Sequence, residues 1–433
     1  MSNSGTGEED EDIEEEERVD RRSAWQPPRR PEWLAELNRE GRHLDLKSLV
    51  PLDPGSLIDT AMQQTGLQDF GEDHWREPLT LLCRDLDGAA ELTLMGRLMT
   101  RSDLLIWLQN RLQIGELLRV HPEIHDQQIE SPMFIVGLPR SGTSILFEVL
   151  SQDPSCGVPE TWEALFPCPP PTAAGYDDDP RIARAHGLVT QWNRVVPEFA
   201  TMHEMGGRIP AECGLIMANS FISDHLASLH QAPEYGAWYA TADMRPAYAY
   251  HQTILKILQW KNPREHWLLK APAHQNHLDI LLETYPDARI IQTHRDPIKC
   301  MASTTSLMGC LYYMRSDLPF DSDAFEDIIQ GEATASRLEH VMQQRAEGVI
   351  PESRICDSRF QDLMDDPIAC VAKIYQHFEM PLSEIARKQM EQYLAGKPRE
   401  KFGPHRYRVA ENELSERRFF RRYQQAYDVP DEV

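Results

Sequence analysis

The loop-like segment at residues 137–144, GLPRSGTS, carries residue types suited to binding a phosphate or sulfonate group. It lies between an apolar stretch and a segment with helical spacing. Glycines permit a tight turn, and the first N–H groups of a helix are unpaired donors at the positive end of its dipole. The guanidinium group of Arg140 adds a charged donor. The segment therefore predicts an anion cradle formed by Pro139, Arg140, Ser141, Gly142, Thr143 and Ser144.

The spacing of Gly137 and Gly142 also matches the loop that binds nucleoside triphosphates, which continues with lysine and then serine or threonine. Here Thr143 stands where that lysine is required. Because the lysine normally bridges the outer phosphates, its absence disfavours an ATP-dependent phosphotransferase. That class stays an alternative on the glycine spacing alone.

A second anion site is indicated at residues 293–303, which begin with THRDP after an apolar segment. Arg295 and Ser303 are eight residues apart, across a turn into a helix. An arginine and a hydroxyl from the following helix can grip one phosphate group together. Two such segments predict a ligand with anionic groups at two places.

These motifs resemble those of sulfotransferases. Residues 134–144 are similar to the 5'-phosphosulfate loop of that family, and Arg295 with Ser303 is similar to its 3'-phosphate site. A third segment, residues 403–407, resembles a late nucleotide-contacting segment and would add Arg406 and Tyr407. The resemblance extends over about residues 132–407 and is greatest to a bacterial branch whose acceptors are mostly unknown.

The resemblance implies that the donor is 3'-phosphoadenosine 5'-phosphosulfate (PAPS), that no metal ion is needed, and that the sulfuryl group moves by in-line displacement. The acceptor would be a hydroxyl or amine on a small molecule, glycan or lipid. A protein that binds the nucleotide without turnover has the same binding motifs and stays an alternative.

Sulfuryl transfer needs cations for the transferring oxygens and a base for the acceptor proton. Arg140 in the loop and Lys270 at the end of a strand are the expected cations. Some relatives that look similar here place a glutamate base soon after the loop, which favours Glu160. Glu163 and His274 remain alternatives for the base, and His203 has no assigned role.

Apolar segments followed by helical spacing predict the elements that position these residues. The strands are expected at residues 132–137, 267–270, 288–293 and 354–356. Helices are expected at residues 144–150, 277–284, from 298, 367–378 and 382–394. Alternating strands and helices predict an α/β fold with a P-loop-like parallel sheet flanked by helices.

Composition divides the chain into three regions. Residues 1–30, with ten acidic side chains and one arginine at positions 8–20, are predicted to form a disordered acidic tail. Residues 31–130 show helical spacing, and residues 131–433 form the expected catalytic domain.

The net charge of -25 argues against nucleic acid as a partner. The eight cysteines have no paired spacing, and neither a signal peptide nor a transmembrane segment is recognisable. We therefore expect reduced, mostly buried thiols and a cytoplasmic location. The oligomeric state is left open.

Overall fold

A computed structural model describes residues 25–320, 329–397, 407–409 and 413–433. Within these ranges a five-stranded parallel sheet has the strand order β2-β3-β1-β4-β5. The predicted α/β fold is confirmed. The strands are β1 (Met133–Gly137), β2 (Cys156–Gly157), β3 (His266–Lys270), β4 (Arg289–His294) and β5 (Ile355–Arg359).

Helices surround the sheet and also form a separate layer beside it. In chain order they are α1 (Glu32–Gly41), α2 (Leu46–Leu49), α3 (Pro54–Thr65), α4 (Arg76–Asp87), α5 (Leu94–Val120), α6 (Thr143–Leu150), α7 (Thr161–Leu165), α8 (Pro180–Val195), α9 (Cys213–Met217), α10 (Asp224–Leu229), α11 (Pro233–Tyr239), α12 (Arg245–Trp260), α13 (Leu278–Thr284), α14 (Pro297–Tyr313), α15 (Gly331–Ala346), α16 (Phe360–Asp365), α17 (Pro367–His377), α18 (Glu384–Gly396) and α19 (Arg417–Tyr427).

The central strands are apolar because both faces of the sheet are covered. Alternate residues of β1 point to opposite faces. Phe134 and Val136 join a core with α12 and α13, whereas Met133 and Ile135 join another with α6, α17 and α18. Because β1 pairs in parallel with both β3 and β4, the carboxyl ends of these three strands lie at one edge of the sheet. The loops that follow the strands can share a ligand there.

The predicted N-terminal helical region shares a core with later parts of the chain. Trp107 of α5 packs in one apolar cluster with Trp162, Phe221 and Tyr312. Helix α5 therefore shares its core with later parts of the chain and does not form a separate unit.

Part of the predicted disordered tail differs from that expectation. Residues 1–24, with the acidic run, lie outside the described residues, but Trp25 is only 8% exposed and packs edge-on against Tyr313. Arg30 lies over the same ring at 3.7 Å and pairs with Asp317 at 2.8 Å. Burial of an indole and a paired guanidinium group offsets the ordering entropy at residues 25–30.

The eight cysteines are unpaired, and all but Cys168 are buried, as expected. Among the described residues no helix is both long and apolar enough to cross a bilayer.

Candidate active site

The loop after β1, residues 137–144, has a backbone that few residue types adopt easily. Gly137 has a φ of +140°, and a Cβ atom there would lie 2.2 Å from Thr293 Oγ1. Gly142 has a φ of +96°, while Arg140 adopts a φ of +70° in the left-handed region, which costs a non-glycine residue about 1–2 kcal/mol. Strain of this kind clusters at functional sites and is held by surrounding structure.

Hydrogen bonds to β4 help to hold the loop. Ser141 is buried, and its hydroxyl donates to Leu138 O at 2.6 Å and lies 2.6 Å from Thr293 Oγ1. The side chain of Ser141 is therefore engaged within the fold.

Helix α6 starts directly after the loop with Gly142 as its N-cap and no side-chain cap. Its first N–H groups are thus left for another acceptor, and these groups favour an anion. Pro139, Gly142, Thr143 and Ser144 line one cavity. The local structure fits the phosphate cradle expected from the sequence.

Arg140 joins the two predicted anion segments. Its Nε donates to Ser303 Oγ at 3.2 Å, and its Nη1 donates to Met202 O at 2.9 Å. Arg295 Nη1 donates to Arg140 O at 2.9 Å. The structure therefore brings Arg140, Arg295 and Ser303 together, and burial lowers the pKa of the Arg140 guanidinium group.

The side chain of Arg295 already carries an anionic partner from the C-terminal segment. Its Nε and Nη2 atoms donate to the carboxylate of Glu432 at 2.7–3.1 Å, and its guanidinium carbon lies 3.8 Å from the centre of the Phe360 ring. Asp296 holds the backbone N–H of Glu432 at 2.7 Å. Arg295 also lines the cavity.

Lys270, at the end of β3, is the second predicted cation in this cavity. It is 2% exposed; its Nζ donates to Ser144 Oγ at 3.3 Å and forms an ion pair with Glu212. The Glu212 side chain keeps 34% of its surface accessible, and it lines the cavity. Burial favours the neutral acid, but Lys270 and His203 outweigh it and hold the pKa of Glu212 below its usual value. The carboxylate of Glu212 therefore lies beside the loop helix and favours its ionised form.

His203 completes this polar group. Burial lowers the pKa of its imidazole, and its electrostatic neighbours include Glu212, Lys270 and Arg140. Burial, Lys270 and Arg140 therefore disfavour the protonated imidazole, whereas Glu212 favours it.

The two glutamates expected as bases lie elsewhere. Glu160 accepts a hydrogen bond from Trp162 Nε1 at 2.8 Å and lies 3.5 Å from Arg208. Glu163 is fully buried and pairs with Arg264 at 2.7 Å. Among the described residues, neither glutamate lines the cavity.

The reason is a short antiparallel pairing. The backbone of Ala211 donates to Pro159 O at 2.7 Å, and Glu160 forms a β-bridge with Pro210. This pairing places the segment with Glu212 beside Glu160, and Glu212 itself is paired with Lys270. Sequence spacing gave no sign of this pairing, because it joins two segments that are distant in the chain.

The position of Glu160 makes a prediction about stability. Burial raises its pKa to about 7, so the folded protein binds more protons than the unfolded chain between the ordinary carboxyl pKa and about pH 7. Stability therefore falls as the pH rises through that window. Glu160→Gln cannot ionise, and we expect it to stabilise the protein at pH 8 by about 1–3 kcal/mol, with the gain vanishing near pH 4. Chemical denaturation at both pH values measures this, and a loss of stability at pH 8 would contradict it.

The remaining predicted site residues are His274, Tyr407 and Arg406. His274 is buried, its Nδ1 lies 2.7 Å from the Tyr248 hydroxyl, and its ring packs against Phe134, so it belongs to the core and does not reach the cavity. Tyr407 is an electrostatic neighbour of both Arg140 and Arg295. Arg406 lies outside the described residues.

One cavity is lined by the loop and by Arg295, Lys270, Glu212 and His203. Its volume is about 1930 Å³, which is more than a nucleotide needs. It extends from the loop and Lys270 past Glu212 to helices α5, α8 and α14. The side chains that line the cavity near the loop are polar, and those that line it farther from the loop are mainly apolar and aromatic. Such a cavity can hold an anionic donor and a second molecule.

Comparison with known proteins agrees with this geometry. Residues 132–384 match the model of the sulfotransferase family. The omega-hydroxy-beta-dihydromenaquinone-9 sulfotransferases Stf3 of Mycobacterium bovis and Mycobacterium tuberculosis are each 26% identical over 280 residues, which is 61% of this chain and 67% of theirs.

Solved structures extend the similarity over most of the chain. Sulfotransferase STF1 from Mycobacterium tuberculosis H37Rv has a TM-score of 0.73 and 30% identity, with coverage of 86% of this chain and 98% of its own. Sulfotransferase STF9 from Mycobacterium avium has a TM-score of 0.73 and 27% identity, with coverage of 88% and 98%.

Proposed function

The chain belongs to the sulfotransferase family and transfers a sulfuryl group to an acceptor, and from this premise we propose that its donor is PAPS and its base Glu212. The observation that carries the proposal is the meeting of three features in one cavity. These are the N-terminus of α6, the joined pair Arg140 and Arg295, and the ion pair of Lys270 with Glu212.

We assign the two ends of the donor to the two interlocked segments. The N-terminus of α6, Thr143 and Ser144 are suited to the 5'-phosphosulfate, because uncapped helix N–H groups and hydroxyls donate to anionic oxygens. Arg295 and Ser303 are suited to the 3'-phosphate, with Tyr407 and Arg406 as further contacts. Arg140 lies between the segments and can serve either end.

The transfer step follows from the charges beside the loop. The acceptor hydroxyl gives its proton to the Glu212 carboxylate as its oxygen bonds to the sulfur, while the bond from sulfur to the phosphate oxygen breaks and 3'-phosphoadenosine 5'-phosphate (PAP) leaves. Lys270 and Arg140 supply positive charge to the oxygens on which negative charge develops. Glu212 is ionised at neutral pH, as a base must be before the reaction.

The acceptor is proposed to be a largely apolar molecule with a hydroxyl group. The part of the cavity beyond Glu212 is lined by side chains such as Met99, Ile106 and Leu188. The relatives named Stf3 act, by their names, on the hydroxyl of a dihydromenaquinone, which is a lipid. Both observations support an apolar alcohol over a free sugar.

Donor selectivity gives the direct test. In calorimetric titrations we expect PAP to bind about a hundredfold more tightly than AMP, which lacks the 3'-phosphate, because a charged hydrogen-bonded pair contributes about 1.5–3 kcal/mol. ATP should bind no more tightly than AMP. Equal or tighter binding of ATP than of PAP would overturn the donor assignment and favour a phosphotransferase.

A further inference from the structure

Helix α19 packs against both of the segments that we assign to the donor. Its side chains Phe420 and Tyr423 share an apolar cluster with Leu138 of the loop and with Ile298 and Met301 of α14. Within the described residues, no side chain of α19 lines the cavity. The helix can therefore act on a bound nucleotide only through the residues that it holds.

One of these residues is Asp296, which directly follows Arg295. Asp296 is fully buried, and Arg417 of α19 donates from Nη1 to its Oδ1 at 3.2 Å and from Nη2 to its Oδ2 at 3.1 Å. A planar guanidinium group that donates to both oxygens fixes the orientation of a carboxylate. This ion pair therefore restrains the chain on the side of Arg295 that leads into α14.

Asp296 also begins the helix that carries Ser303. As the N-cap residue of α14, it accepts a hydrogen bond at Oδ1 from the backbone N–H of Ile298 at 3.1 Å. Ser303 follows Asp296 by seven residues, which is about two helical turns, so both lie on the same side of α14. One carboxylate therefore orients the start of the helix and, through it, the hydroxyl that we assign to the 3'-phosphate.

A second contact holds His294, which directly precedes Arg295. The Tyr423 hydroxyl lies 2.8 Å from His294 Nδ1, and the ring of Tyr427 stacks on the imidazole with ring centres 4.0 Å apart. The other ring nitrogen, Nε2, lies 2.8 Å from the carboxylate of Asp357. The imidazole is therefore fixed between α19 and β5.

The charges around His294 determine the direction of these hydrogen bonds. Burial favours the neutral acid at Asp357, but hydrogen bonds with His294 and Arg345 outweigh it and hold the pKa of this carboxyl at about 2. The carboxylate only accepts, so His294 Nε2 carries a proton. Burial lowers the pKa of the imidazole and disfavours a second proton, which leaves Nδ1 to accept from the Tyr423 hydroxyl. Burial also raises the pKa of that hydroxyl, and a backbone hydrogen bond from Arg295 opposes the rise.

The residues on both sides of Arg295 are thus held by one helix. We propose that Arg417 and Tyr423 are positioning residues that determine the selectivity for a nucleotide with a 3'-phosphate. They keep Arg295 and Ser303 in the relative placement that one phosphate group requires, as the supporting contacts of a binding site must. The inference rests on the proposed function, because that function assigns the 3'-phosphate to Arg295 and Ser303.

Tyr423→Phe tests the contact with His294. The variant keeps the ring in its apolar cluster and removes only the hydroxyl. PAP and AMP are titrated by calorimetry into the native protein and the variant, each well below its unfolding temperature. We expect the ratio of PAP affinity to AMP affinity to fall about fivefold, the scale of one neutral hydrogen bond, with AMP affinity unchanged.

Arg417→Lys tests the contact with Asp296. Lysine keeps the positive charge but does not reproduce the planar pair of hydrogen bonds to both carboxylate oxygens. We expect the affinity ratio to fall about tenfold, because hydrogen bonds between charged groups are the stronger ones. The matched control is Arg421→Lys on the same helix, whose side chain is 55% exposed and pairs with Asp431 at 3.3 Å. An exposed pair contributes little, so this control should keep the ratio within about twofold.

Two further variants separate positioning from a loss of stability. Tyr375→Phe removes another buried hydroxyl, which donates to Asp153 at 2.6 Å and belongs to a different apolar cluster. It should lower the stability and keep the affinity ratio. In an Arg295→Ala background, Tyr423→Phe should no longer change PAP affinity, because the side chain that it positions is gone.

The outcomes distinguish this inference from the proposed function. A native protein that binds AMP as tightly as PAP would overturn the donor assignment, and the positioning role with it. Native selectivity that Tyr423→Phe or Arg417→Lys retains would overturn the role of that residue alone. A ratio lowered as much by Tyr375→Phe, or a parallel loss of AMP affinity, would show a general effect of stability and contradict positioning. Tyr423→Phe removes a single oxygen atom, so its measurement decides the question even if Arg417→Lys does not fold.

Discussion

Glu212→Gln is expected to lower kcat for sulfuryl transfer by about a thousandfold. General-base catalysis contributes roughly 10²–10⁴-fold, and Gln cannot accept the proton of the acceptor hydroxyl. The substitution preserves size and can keep a hydrogen bond to Lys270, so the affinity for PAP should change by no more than a few-fold. Steady-state kinetics with saturating PAPS, beside calorimetry with PAP, measures both quantities.

Two variants control this result. Glu160→Gln makes the same chemical change at a carboxylate outside the cavity lining and should keep kcat within about threefold. His203→Asn removes the other proton acceptor near Lys270 and should cost less than Glu212→Gln. If Glu160→Gln or His203→Asn proved as damaging as expected for Glu212, the assignment of the base would be wrong.

Arg295→Ala is expected to weaken PAP binding by about a hundredfold and to leave AMP binding nearly unchanged. The lost contact is a charge-assisted pair between a planar guanidinium group and the 3'-phosphate, and AMP has no phosphate there. Arg295→Lys should recover only part of the affinity, because an ammonium group does not reproduce bidentate geometry. Calorimetry with both nucleotides gives the two affinities.

The control for this prediction is Arg422→Ala, which removes an arginine whose side chain is 71% exposed. It changes net charge equally and should leave both affinities within about twofold. Equal weakening of PAP and AMP by Arg295→Ala would instead show a general effect on the cavity and would contradict the 3'-phosphate assignment.

The sheet could be predicted because its signal is local. Strands buried on both faces read as apolar runs, and β1, β3 and β4 begin and end within about one residue of the predicted segments. The loop at residues 137–144 was recognisable for the same reason, since its glycines and the helix after it are contiguous in sequence. Its connection to Arg295 then followed from two adjacent parallel strands, β1 and β4.

The base and the acceptor cavity depend on contacts between distant segments. Glu160 and Glu212 are both glutamates that precede a short helix, and only the pairing of Glu160 with Pro210 decides which one reaches Lys270. His274 follows its strand end closely, yet its ring turns toward Phe134 in the core. The cavity draws on α5, α8 and α10, whose apolar side chains have ordinary core spacing, so periodicity could not identify it.

Under the proposed assignment of the 3'-phosphate to Arg295, the contact between Arg295 and Glu432 would make donor binding an exchange of counter-ions. The guanidinium group is not bare before the nucleotide arrives, because a carboxylate held by Asp296 through its backbone already neutralises it. A phosphate that takes this place offers more negative charge and one more acceptor oxygen than a carboxylate, and the displaced carboxylate regains its hydration. Release of the product would then run the same exchange backwards, with Glu432 returning to Arg295 as the 3'-phosphate departs.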